Sequence, residues 1–200
     1  MIRAARPEDR DAFYHVCLRC GDAGADATGL FDDPHLLGEV YVGPYLALQP
    51  DLALAVAADD DPEGTAQGYC LGALDSEDFA RRCEESWWPI LRARHPLEVV
   101  RREADQAVVG EIHRPPFAPR ELVRGYPSHL HIDLLPSLRG QGAGSAAMSR
   151  QMTMMTAAGS TGVHLVVART NVDAVRFYER LGIGVLGPFG DALVMGRSLA

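Results

Sequence analysis

The hexapeptide Arg139-Gly140-Gln141-Gly142-Ala143-Gly144 is the segment whose residue types point most directly at chemistry. Glycines at alternate positions let backbone N–H groups converge, and where such a turn opens a helix the dipole adds to the attraction for an anion. The expected ligand is a phosphate or diphosphate, whose approach Cβ atoms at Gly142 and Gly144 would obstruct. A plain strand-to-helix turn is the alternative, because glycine serves any tight connection. A Walker loop is excluded because no Gly-Lys-Ser/Thr follows. A dinucleotide fingerprint would need an acid at the end of the next strand, where Ala168-Arg169-Thr170-Asn171 stands instead. Just upstream, His129, His131 and Asp133 alternate on one side of a strand, as a proton relay, a substrate-binding cluster or a polar group satisfied by neighbouring backbone. Two-residue strand spacing sets them roughly 7 Å apart, rather far for one small ion, so no metal is expected.

The elements that must hold these residues follow from periodicity. His129 to Leu135 alternates as a strand, Gly142 to Ala158 reads as a helix with Met148, Met152 and Met155 on its core side, and Val163 to Ala168 is a strand. Asn171 to Leu181 is a helix ended by Gly182, with two short strands after it around Val185 and Leu193-Val194-Met195. In the first half, Ile2 to Ala5 is a strand candidate, and an amphipathic helix opens at Pro7-Glu8-Asp9 and carries Phe13, Val16, Cys17 and Cys20. Pro34 to Leu48 is helical in pieces interrupted at Gly43-Pro44. Leu52 to Ala57 and Gln67 to Leu74 form an antiparallel hairpin, Ser76 to His95 is helical, and a polar helix from Leu97 is broken by Pro115-Pro116.

Two hundred residues with 47% apolar content suffice for one well-cored domain. The chain has no apolar run of membrane-span length and no signal-peptide core at its start, so a cytoplasmic protein without a membrane partner is expected. Four cysteines at irregular spacing make no disulfide scaffold, and Cys17-x-x-Cys20 lacks a second ligand pair for zinc. The net charge of −8 excludes a general nucleic-acid binder and is compatible with a cationic acceptor.

Two segments together carry a resemblance. Leu134-x-Pro136-x-x-Arg139-Gly140-x-Gly142-x-Gly144, then a strand, then Asn171-x-x-Ala174-x-x-Phe177-Tyr178-x-x-Leu181-Gly182 resemble the two signature segments of GNAT N-acetyltransferases in order and spacing. Across nearly the whole chain, Gly38 to Leu46, Gly68-Tyr69-x-Leu71-Gly72, Trp87-Trp88-Pro89 and Tyr126 to Asp133 are similar to the acetyltransferase-like domain at the C-terminus of animal O-GlcNAcases and its free-standing bacterial relatives. The animal domain lacks the glycine-rich turn, which this sequence retains. Nothing here resembles a glycoside hydrolase domain.

The resemblance implies an α/β (α+β) GNAT fold over residues 1–200, with a mixed central sheet of about seven strands flanked by helices and a V-shaped splay between His129–Leu135 and Val163–Ala168. It implies acetyl-CoA as cofactor, held by Leu134, Leu135, Arg139, Gly140, Gln141, Gly142, Ala143, Gly144, Ser145, Asn171, Phe177 and Tyr178. An amine, free or on a peptide, would attack the thioester directly, in a monomer or homodimer. Tyr178 would protonate the departing thiolate, although it also shares a helical face with Ala174, Phe177 and Leu181 as a core aromatic would. Asp133 would be the base, its pKa raised by burial. Asn171 suits a helix cap as well as a cofactor contact. Asp75, Trp87, His129 and His131 are the expected acceptor-binding residues, with a helix start and a core anchor as the plainer roles of Asp75 and Trp87. The contrasting reading is a non-catalytic domain that binds acyl-CoA or a protein partner.

Overall fold

The computed structural model describes residues 1–99 and 101–199. Its strands are β1 (Ile2–Ala4), β2 (Ala53–Val56), β3 (Gly68–Ala73), β4 (Ser128–Leu134), β5 (Gly162–Ala168), β6 (Gly184–Phe189) and β7 (Ala192–Ser198). They form one sheet in the order β1-β2-β3-β4-β5-β7-β6, in which β4 and β5 are the parallel pair and the other neighbours are antiparallel. This is the mixed seven-stranded sheet that the resemblance implies.

The splay follows from the pairing register. Strands β4 and β5 meet only at Ser128 with Val163 and His129 with His164. Beyond that point β4 stays paired with β3 as far as Leu134 opposite Gly68, while β5 stays paired with β7 as far as Ala168 opposite Ala192. The two strands therefore part, leaving facing backbone edges without a neighbour.

Strand alternation divides the apolar residues between two cores. On one face Tyr69 and Leu71 of β3 pack with Phe13 and Tyr14 of α1 (Arg10–Cys20), Leu36 of α2 (Leu36–Tyr41), Leu91 of α5 (Trp88–Arg94) and Ile112 of α6 (Glu103–His113). On the other, Leu54, Cys70 and Leu165 meet Met148, Met152 and Met155 of α8 (Ala143–Ala157) and Tyr178 of α9 (Val172–Arg180). The methionine stripe is core, as its spacing predicts.

Three boundaries differ from the periodicity reading. Gly43-Pro44 begins α3 (Gly43–Leu48) instead of interrupting a helix, with the break one residue earlier at Val42. Proline fits there because a first-turn N–H has no intrahelical partner to lose. The helical run from Ser76 divides at Trp87 into α4 (Ser76–Ser86) and α5, and Pro89 starts the second piece for the same reason. The helix expected from Leu97 starts only at Glu103, and the proline stretch after it leads to the short α7 (Arg120–Val123).

Candidate functional site

A cleft of about 1590 Å³ is lined by both parting strands, by the glycine turn, and by side chains from α2, α3, α6 and α9. At the turn, Gly140 and Gly142 have φ of +75° and +83°, a region that costs an L-residue roughly 1–2 kcal/mol. A Cβ at either would meet nothing within 4 Å, so the space before the turn is open and backbone conformation, rather than crowding, selects these glycines. Gly144 has a different reason: its Cβ would come within 3.2 Å of both Leu134 and Phe177, which pinch the start of α8.

The amides at this turn are unequal. That of Arg139 is already bonded to the Pro136 carbonyl, and its guanidinium clamps the Leu134 carbonyl at 2.8 Å, the Gly24 carbonyl at 3.0 Å and the Cys20 sulfur at 3.3 Å. Arg139 thus fastens the loop after α1 to the end of β4. From Gly140 to Ser145 no amide has a hydrogen-bond acceptor among the described residues, as at the first turn of any helix, and Gly140, Gly142, Gly144 and Ser145 line the cleft. The Leu135 amide donates to Gln67, and Gln141 uses its side chain to reach the Ser137 carbonyl.

Deeper in the cleft, Tyr69 and Asp133 are cross-strand partners in β3 and β4. The fully buried Tyr69 hydroxyl donates to Asp133 Oδ2 at 2.5 Å, and His131 Nε2 reaches the same oxygen at 3.0 Å. Burial pushes the Tyr69 phenol well above its ordinary pKa, so it stays a proton donor. Burial disfavours the His131 imidazolium, but the Asp133 carboxylate and the Tyr41 carbonyl outweigh it and leave the pKa raised. Both donors fall on Oδ2, and Oδ1 has no partner among the described residues.

His129 faces the same way and joins a different group. Its Nδ1 lies 2.8 Å from Ser76 Oγ and its Nε2 2.8 Å from the Tyr45 hydroxyl. Burial, reinforced by the neighbouring His164 and His131, lowers its pKa to about 3. It is a neutral imidazole with both nitrogens engaged.

Tyr178 is 8% exposed and lines the cleft, and its hydroxyl has no hydrogen-bond partner among the described residues. Burial holds it protonated. Asn171 caps α9 through Oδ1, which accepts from the Ala174 amide at 3.2 Å, and also lines the cleft. Asp75 and Trp87 lie elsewhere. Asp75 accepts from the Glu77 and Asp78 amides at 2.9 Å each as the cap of α4, and Trp87 donates its indole N–H to the Glu39 carbonyl. Trp88 is the tryptophan that lines the cleft.

Tyr41, Tyr45, Tyr69, Glu111 and His164 line or support the site and were not legible as site residues. They come from elements far away in the chain, and only the register of the sheet and the docking of α2, α3 and α6 bring them in. Cys17 and Cys20 are buried free thiols; burial raises both pKa values, that of Cys20 to about 11, so neither is a ready thiolate. No helix among the described residues is long and apolar enough to cross a membrane.

Residues 70–183 match the Acetyltransferase (GNAT) family. The chain is 26% identical over 207 aligned residues to the protein O-GlcNAcase of Rattus norvegicus, an alignment that covers 99% of this chain and 22% of that protein. It thus spans about a fifth of the length of the curated relatives it matches. Among solved structures, that of SsHAT is 35% identical, covers 100% of this chain and 98% of its own, and superposes with a TM-score of 0.92. A GNAT superfamily phosphinothricin acetyltransferase from Sinorhizobium meliloti, crystallised in complex with AcCoA, shares the fold at 15% identity, with coverage of 100% and 88% and a TM-score of 0.59. The chain belongs to the GNAT acetyltransferase family.

Proposed function

We propose that this chain, acting as one domain, transfers an acetyl group from acetyl-CoA to an amine. One observation carries the reading: the turn whose amides are unpaired from Gly140 into α8, the Asp133 carboxylate and the unpartnered Tyr178 hydroxyl all line one cleft. The diphosphate of CoA would lie against Gly140, Gln141, Gly142, Ala143, Gly144 and Ser145, as an anion does at a helix N-terminus. Pantetheine would enter the splay and pair with the free edge of β4. With the Leu135 amide committed to Gln67 on the β3 side, strand alternation turns the Ile132 backbone toward the gap. Phe177 and Asn171 would flank the cofactor; the same fold in the Sinorhizobium enzyme holds AcCoA.

The reaction removes two protons from the acceptor ammonium, delivers one to sulfur and exchanges one bond. An acceptor ammonium gives a proton to the free Oδ1 of Asp133. The neutral nitrogen attacks the thioester carbonyl carbon, a C–N bond forms and the C–S bond breaks. Tyr178 donates its proton to the departing sulfur and recovers one from solvent as the attacking nitrogen loses its second proton. Tyr69 and His131 are positioning residues that fix Oδ2 so that Oδ1 faces the cleft. Arg139 acts indirectly, by holding the turn.

Acetyl-CoA should raise the melting temperature, as any ligand selective for the folded state does. Ser145→Glu should abolish that shift, because a carboxylate in the first turn suits the helix dipole yet repels a diphosphate. No shift in the natural chain at millimolar acetyl-CoA, or an undiminished shift in the folded variant, would remove the turn from the mechanism. Binding with no amine-dependent release of thiol would leave a non-catalytic acyl-CoA-binding domain.

A further inference from the structure

Of the carboxylates besides Asp133 that line the cleft, Glu77, Asp173 and Asp191 are exposed, whereas Glu111 is half-buried and has no use in the reaction above. Glu111, in the last turn of α6, lines the cleft, and its Oε2 accepts the Tyr41 hydroxyl at 2.6 Å. Tyr41 connects it to the proposed base: its carbonyl meets His131 Nδ1 at 3.2 Å, and its ring stands edge-on to His131 with centroids 6.2 Å apart. Asp133, His131, Tyr41 and Glu111 therefore form one continuous wall.

The charges along that wall are uneven. Among the described residues Glu111 has no cationic partner, whereas Glu77 is paired with Arg120 at 2.7 Å; Asp173 and Asp191 are also unpaired but lie exposed to solvent. Arg139 lines the cleft at the cofactor end. Burial raises the pKa of Glu111, the mark of a carboxylate desolvated without a countercharge. Tyr178, 8% exposed, presents its unpartnered hydroxyl to the same cleft. A half-buried carboxylate separated from the base by His131 and Tyr41 can recognise a second positive charge joined to the reacting amine by an apolar spacer.

We infer that the acceptor carries two cationic groups, one acetylated at Asp133 and the other held by Glu111, as in a small α,ω-diamine. The inference rests on the transferase reading and extends it to a class of substrate. Monofunctional amines fill only half of the recognition, and the methylene chain of a diamine lies along Tyr41.

The test compares putrescine, cadaverine and longer diamines with the n-alkylamines of equal length, following thiol release from acetyl-CoA. The best diamine should exceed its monoamine at least about tenfold in kcat/KM, the factor expected for a charge-assisted hydrogen bond in a cleft. Glu111→Gln keeps an acceptor for the Tyr41 hydroxyl and should bring the diamine-to-monoamine ratio to within about twofold. Equal turnover of diamines and monoamines by the natural chain would overturn the inference and leave the transferase reading standing. So would a diamine preference undiminished in Glu111→Gln. No acetylation of any amine would overturn both.

Discussion

Tyr69 and Tyr178 are both held protonated by burial but have different surroundings. Tyr69 spends its hydroxyl on Asp133, whereas Tyr178 has no partner among the described residues, which leaves it available to a leaving group. Tyr178→Phe should lower kcat roughly 10²-fold with little change in the KM for acetyl-CoA, as loss of a general acid does, and steady-state kinetics will separate the two constants. An unchanged kcat would return Tyr178 to packing alone. Tyr69→Phe removes the hydrogen bond that positions Asp133 Oδ2, so kcat should fall while the KM for acetyl-CoA stays near that of the natural chain. A merely structural loss would change both constants. In Asp133→Asn kcat should fall further, and an unchanged kcat would require another base.

Among the elements, β4 and α8 do most to define the site, and each was legible from a different signal. The alternation of His129, His131 and Asp133 places them on one face of β4, and the structure keeps them there. What alternation could not reveal is that His131 and Asp133 share a group while His129 bonds to Ser76 and Tyr45. Those partners are fixed by the β3–β4 register and by the seating of α3 and α4. At α8, the glycine pattern marked the turn, but the reasons differ by position. Gly142→Ala should cost about 1–2 kcal/mol from its φ of +83° with no clash, readable as a lowered denaturation midpoint. A Cβ at Gly68 would lie 2.3 Å from Leu134 Cδ2 and 2.9 Å from the Asp133 carbonyl, so Gly68→Val should disturb β4 and destabilise more strongly. Should the two variants prove equally stable, this distinction between conformation and crowding would be wrong.

At the scale of the molecule, the histidines couple fold stability to pH with opposite signs. The pKa of His129 is depressed to about 3, so its neutral form stabilises the fold above pH ~6.5, and the contribution is lost as pH falls toward 3. Its share is up to about 1.4 kcal/mol per pH unit in that window, less as cleft water screens it. The raised pKa of His131 contributes stability below pH ~6.5 that is lost as pH climbs through its folded value. Urea denaturation at a series of pH values should show His129→Gln flattening the acid-side loss. An unaltered acid limb would remove His129 from the account. All nineteen Lys/Arg positions are arginine, so no lysine ε-amine of the chain can accept acetyl groups in an assay without added amine. Periodicity and glycine spacing sufficed to specify the strands flanking the splay and the turn that opens α8, and the resemblance of two short segments pointed to the family, because each signal is written in nearby residues. The pairing of Tyr69 with Asp133, the approach of Glu111 through Tyr41 and the placement of Asp75 and Trp87 outside the cleft lining were decided only by the tertiary structure. Each depends on strand register or helix docking between segments distant in sequence, where the energy lies in packing that no short stretch encodes.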